Sequence, residues 1–215
     1  PRVVDAPMKE TMSTPYEMPA TRDDFPVIVR WARIILTLVL IPVSWHAFHD
    51  EYGFIPLLGD IDTAVHEFGH MLFMPFGIQF LGHTMMILGG SLTQVVFPLI
   101  FMAYFMRQHE DSRRDMHAAM LCLWWSSMNL LGVAIYCADA GPMKLMLISG
   151  GTGQEVEGHD WNNLLRIWGV LHHYVGIARA MRGVAWLCCV TSIALGLIVA
   201  WNSGRVRAEN QTSIG

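Results

Sequence analysis

Two stretches of 23 residues, Thr84–Met106 and Met116–Ala138, contain no Asp, Glu, Lys or Arg. A helix rises about 1.5 Å per residue, so each is long enough to cross a hydrocarbon core of about 30 Å. Gly183–Asn202 adds a third uncharged run, of 20 residues. Val27–Phe48 reads as a further span; its apolar centre, Ile34–Val43, is short, but Arg30 and Arg33 can snorkel to one interface while Trp45 anchors the other. Ile61–Met74 is helical by pattern, with Asp60 or Asp62 available as N-cap and Pro75 with Gly77 ending or kinking it. The expected fold is all-α: an integral membrane bundle of four or five membrane helices plus one short interfacial helix.

Composition agrees. Only 15% of the 215 residues are charged and 53% are hydrophobic, against about 25% charge in soluble domains. A net charge of -4 offers no basic footprint for phosphate backbones, so nucleic acid is excluded as a partner. Cys122, Cys137, Cys188 and Cys189 lie in apolar runs with no CxxC spacing and read as small buried hydrophobes.

The rest of the chain divides around these runs. Residues 1–26 carry five prolines and read as a flexible polar tail, too polar for the apolar core of a signal peptide. Residues 27–205 form one membrane domain. Its parts are a core over about 61–140, a loop and amphipathic helix over 140–182 and a last membrane helix over 183–202, with a tail at 206–215. The loop holds a Gly-rich stretch, Ser149–Gly158, ahead of a short helix around Asn162–His173. The expected setting is a bacterial inner (cytoplasmic) membrane, with the N-terminal tail inside by the positive-inside rule.

The chemistry sits in His66-Glu67-Phe68-Gly69-His70. Residues i and i+4 of a helix share a face, so both histidines can turn a ring nitrogen to one Zn2+ ion. Glu67, beside that face, can take a proton from a water held by the ion. Three ionisable residues in five positions, flanked by Ala64-Val65 and Met71-Leu72-Phe73-Met74, are costly within or beside lipid unless they serve a function. A catalytic zinc needs a third protein ligand. Asp139, at the end of the second uncharged run, and Asp160, within His159-Asp160-Trp161, are the candidates; Asp160 can equally cap the helix that follows it.

These residues resemble the site-2 protease family of intramembrane zinc metalloproteases, as a minimal core without regulatory domains. His66–His70 in an apolar helix closed by Pro75 and Gly77 resembles that family's first core helix. Gly89-Gly90-Ser91-Leu92-Thr93-Gln94 resembles the start of its second, and Asn129–Asp139 its third-helix motif. The resemblance implies His66, His70 and Asp139 as ligands, Glu67 as catalytic base and Asn129 as a polar neighbour stabilising substrate or oxyanion. Here Ala138-Asp139-Ala140 stands where the family has Leu-Asp-Gly, which keeps Asp160 as the alternative third ligand.

The implied activity is hydrolysis of peptide bonds in or near transmembrane segments, with a membrane-protein helix as substrate and the lipid bilayer as surroundings. Thr84, Ser91, Thr93, Gln94, Ser126, Ser127 and Asn129 are polar positions in apolar helices that can line the cavity or permit close packing. Two other readings stand beside this one: a non-catalytic subunit of a larger membrane complex, and a haem-binding bundle using pairs from His46, His83, His117, His172 and His173.

Overall fold

The computed structural model describes residues 27–79, 83–107 and 115–202. They form α1 (Val27–His49), α2 (Leu58–Gln79), α3 (His83–Arg107), α4 (Met116–Ala138), α5 (Asp160–Ile167), a 3-10 turn at Leu171–His173 and α6 (Tyr174–Asn202). Among the described residues there is no strand, only a single bridge between Met146 and Thr152. The helices α1, α3, α4 and the segment Leu171–Asn202 are long and apolar enough to cross a membrane. The tails expected at 1–26 and 206–215 lie outside the described residues.

α4 is the central helix: twelve of its residues are buried, against four in α1 and six in α6. Asp115 caps it by accepting from the Ala118 N–H, and both Asp115 oxygens also accept from Arg33 of α1, at 3.0 and 3.1 Å. Arg33 is therefore paired inside the bundle, while Arg30 stacks on Trp201 with its guanidinium carbon 4.4 Å from the ring centroid. Further along the same interface Trp124 Nε1–H donates to Ser44 Oγ at 2.7 Å, and His117 Nε2 and Thr37 Oγ1 lie 2.9 Å apart. Around these polar links Leu40, Ala47, Met128, Leu131, Ala185 and Cys189 close an apolar core. The outer surface stays apolar, with Ile35, Leu38 and Val39 of α1 and Leu187, Val190 and Ile198 of α6 exposed. Such a surface suits lipid and would be a liability in water.

α2 packs along α3 at a glycine crossing. A Cβ placed on Gly69 would lie 2.4 Å from the Gly89 carbonyl oxygen, so the two backbones touch there. α2 begins at Leu58, after the turn at Pro56–Leu57, and neither expected cap caps it. Asp60 lies in its first turn, and Asp62 is buried, accepting from Trp125 Nε1–H at 2.7 Å. Nor does the helix end at Pro75: it continues to Gln79. Pro75 lies on the exposed side beside Met71, and there proline forfeits one backbone hydrogen bond without a neighbour to displace.

The segment after α4 departs furthest from expectation. The single helix expected around Asn162–His173 is divided, because Gly169 takes a left-handed φ of +71° and stops α5. α6 then begins at Tyr174, nine residues before the uncharged run.

Candidate metal centre

His66 and His70 project from one face of α2, their ring centroids 4.8 Å apart and their planes nearly perpendicular. Each ring is fixed from α3. His66 Nδ1 lies 3.1 Å from Gln94 Oε1 and His70 Nδ1 2.8 Å from the Met86 carbonyl oxygen. Both partners are acceptors, so each Nδ1 carries the proton and donates, and the Nε2 lone pairs are left for a ligand. Gly90 makes room: a Cβ at that position would stand 2.6 Å from His70 Nε2 and 2.7 Å from His66 Nε2.

Asp160 completes the group. Its Oδ2 lies 3.2 Å from the Nε2 of His66 and 3.2 Å from the Nε2 of His70. Zinc bonds of about 2.0–2.1 Å at tetrahedral angles set neighbouring ligand atoms about 3.3–3.4 Å apart. The Asp160 oxygen thus stands from each ring nitrogen at close to the spacing of two zinc ligands, and two imidazoles with one carboxylate form a donor set of the kind zinc takes. Without an ion between them, imidazoles protonated on Nε2 as well as Nδ1 hydrogen-bond Asp160; burial opposes charge on Asp160, but these bonds outweigh it and hold its carboxyl below the ordinary carboxylate range. Glu67 is exposed, and its carboxylate offers an oxygen within 4.8 Å of the ligand atoms of the two histidines.

Asp160 is delivered by a well-anchored helix. The N-cap of α5 is His159, not Asp160: its Nδ1 accepts from the Asn162 N–H at 3.2 Å, which frees the Asp160 carboxylate to point at α2. Trp161 Nε1–H donates to Ser91 Oγ of α3, and Leu164 and Leu165 sink into a second core with Ile87, Val133, Cys137 and Ala178. The Asp160 N–H donates to the Tyr136 hydroxyl at 3.0 Å.

Two of the implied residues stand apart from the His66–His70–Asp160 group. Asp139 is placed away from the histidine pair, as the C-cap of α4, with its carboxylate turned into the following loop. It accepts from the Lys144 and Leu145 N–H groups, each at 2.9 Å, and from His159 Nε2–H at 3.2 Å, so both oxygens are occupied. Asn129 stands behind Gln94 rather than in the cavity. Its Nδ2–H donates to the Gln94 backbone oxygen at 2.7 Å, and its Oδ1 accepts from Gln94 Nε2–H at 3.4 Å. That places it to orient Gln94, and through it His66.

The histidines, Glu67, Asp160, Gln94 and Tyr136 line a cavity of about 830 Å3 that Leu145–Ser149 also border. Of the seven polar positions expected to line or pack, Gln94 alone reaches it. Ser91 accepts from Trp161, while Ser126 and Ser127 donate to the Val95 and Trp124 carbonyls, which are packing roles. The five histidines of the haem reading are spread over α1, α3, α4 and the 3-10 turn; His117 is held by Thr37, and His172 and His173 are exposed. The sequence motifs give no individual role to Tyr136, Gly90 or His159. Tyr136, near the end of an apolar helix, carries no local sign of a role.

No family model, curated protein or solved structure matches the chain.

Proposed function

We propose that the chain is a membrane zinc metallopeptidase that hydrolyses peptide bonds in or near transmembrane segments of other proteins. His66, His70 and Asp160 would hold the metal. The observation that carries this reading is one carboxylate oxygen at 3.2 Å from two imidazole nitrogens one helical turn apart. When bound, zinc polarises a carbonyl and brings the pKa of water down to about 7.

The residues of the chain supply the rest. Gln94 and the Met86 carbonyl keep the imidazoles aimed. Glu67, free of the ligand set on the cavity wall, takes the proton of the attacking water and returns it to the leaving amine. The cavity is roomy enough for an extended peptide segment, and its wall presents Met146 and Ile148, both largely exposed, as apolar contacts for a substrate drawn from a membrane helix. The residues that orient the ring nitrogens are those expected around a metal rather than around two idle histidines.

The test compares membranes containing the wild type with membranes containing Glu67→Gln, mapping new protein termini by mass spectrometry. The expected result is a set of termini in or beside transmembrane segments, present with the wild type and absent with the variant. Identical termini in both would overturn the assignment.

A further inference from the structure

Peptide hydrolysis through a tetrahedral carbon places negative charge on the former carbonyl oxygen, and a donor aimed at that oxygen is among the largest contributors to rate. Asn129, the residue first implied for this role, is occupied by Gln94. Tyr136 is not. It lies in the last turn of α4, its ring edge-on to His66 at a centroid distance of 6.3 Å and packed on His159 at 4.4 Å. A phenol offers one hydrogen and two lone pairs. One lone pair accepts from the Asp160 N–H at 3.0 Å, and among the described residues nothing accepts the hydrogen. The hydroxyl borders the same cavity as His66, Glu67, His70 and Asp160. Tyr52, the other phenol there, sits on the loop before α2 and is 60% exposed.

We infer that Tyr136 is a catalytic residue: its hydroxyl donates a hydrogen bond to the carbonyl oxygen of the scissile amide as the carbon becomes tetrahedral. This rests on the hydrolase reading. The water oxygen bonds to the carbonyl carbon, its proton passes to Glu67, and the C=O π pair moves onto oxygen, where Tyr136 donates without giving up its proton. On collapse the π bond re-forms, the C–N bond breaks and Glu67 delivers the proton to nitrogen. Tying the phenol to the backbone of Asp160 holds the donor in register with the metal ligand, so no reorganisation is needed at the moment of reaction.

The test uses the full chain loaded with cobalt(II), whose visible spectrum reports both metal binding and acetohydroxamate, a chelator that places a carbonyl oxygen on the metal. Tyr136→Phe is expected to retain about one cobalt per chain, with affinity within about threefold of wild type, below the 10–100-fold loss that follows removal of a ligand-orienting partner. Its acetohydroxamate Kd is expected to rise about tenfold or more, as for loss of a hydrogen bond to a charged group. Unchanged hydroxamate affinity would overturn the inference and leave the metal site standing. Loss of cobalt in Tyr136→Phe would also overturn it, making Tyr136 only a support for Asp160. A wild type that holds no cobalt would overturn the hydrolase reading itself.

Discussion

His159 and Asp139, twenty residues apart, form a buried pair in which His159 Nε2–H donates to Asp139 Oδ2 at 3.2 Å. The same imidazole caps α5 through Nδ1, so the pair fixes the start of the helix that carries Asp160. Asp139 thus bears on the histidine pair from a distance, by holding the loop that presents Asp160.

This sets a contrast between two aspartates. Asp139→Ala is expected to weaken zinc binding about 10–100-fold, the scale for residues that position a ligand. It should also destabilise the protein by about 3 kcal/mol, because His159 and two backbone N–H groups lose a buried acceptor. Zinc titration and thermal melting in detergent measure the two effects; a variant with unchanged melting would contradict the role given to the pair.

Gly90 is expected to tolerate no side chain. Alanine favours a helix over glycine by about 1 kcal/mol, yet a Cβ here meets both Nε2 atoms at 2.6–2.7 Å. Gly90→Ala should therefore fold and lose its zinc. Metal content beside helicity by circular dichroism checks this, and a Gly90→Ala protein with full zinc would refute the described closeness of α3 to the ring nitrogens.

Gln94 offers a test of ring orientation. Gln94→Leu removes the acceptor of the His66 Nδ1–H and should cost about 10–100-fold in zinc affinity. Gln94→Glu keeps an acceptor and should restore most of it. Equal losses in both variants would mean that Gln94 matters only through packing.

A control lies at the opposite side of α4. Ser44→Ala leaves the Trp124 N–H buried without a partner and should cost about 1–3 kcal/mol of stability. It should leave zinc content unchanged, since neither residue borders the cavity. Loss of zinc in this variant would indicate general unfolding behind the other results.

The uncharged runs located α3 and α4 to within a residue at each end, because exclusion of charge from lipid is written along the chain itself. α6 was half hidden: Arg179 and Arg182, both exposed, interrupt the run although the helix passes through them. The HExxH pair was legible for the same local reason, as its geometry depends on one helical turn. The carboxylate beside it was not. Asp160 meets His66 across 94 residues of chain, and loop hydrogen bonds that leave no spacing to read bring it, and not Asp139, to the histidines. The role that the resemblance gives Asn129 says nothing of its neighbour: Asn129 faces Gln94, a partner on α3 that no local pattern announces.

The most direct measurement is zinc stoichiometry in purified wild type, Asp160→Ala and Asp139→Ala at saturating metal followed by dialysis. The account predicts about one zinc per chain in the wild type, none in Asp160→Ala, and zinc in Asp139→Ala that is bound more weakly but at the same stoichiometry. Full zinc in Asp160→Ala with none in Asp139→Ala would contradict it.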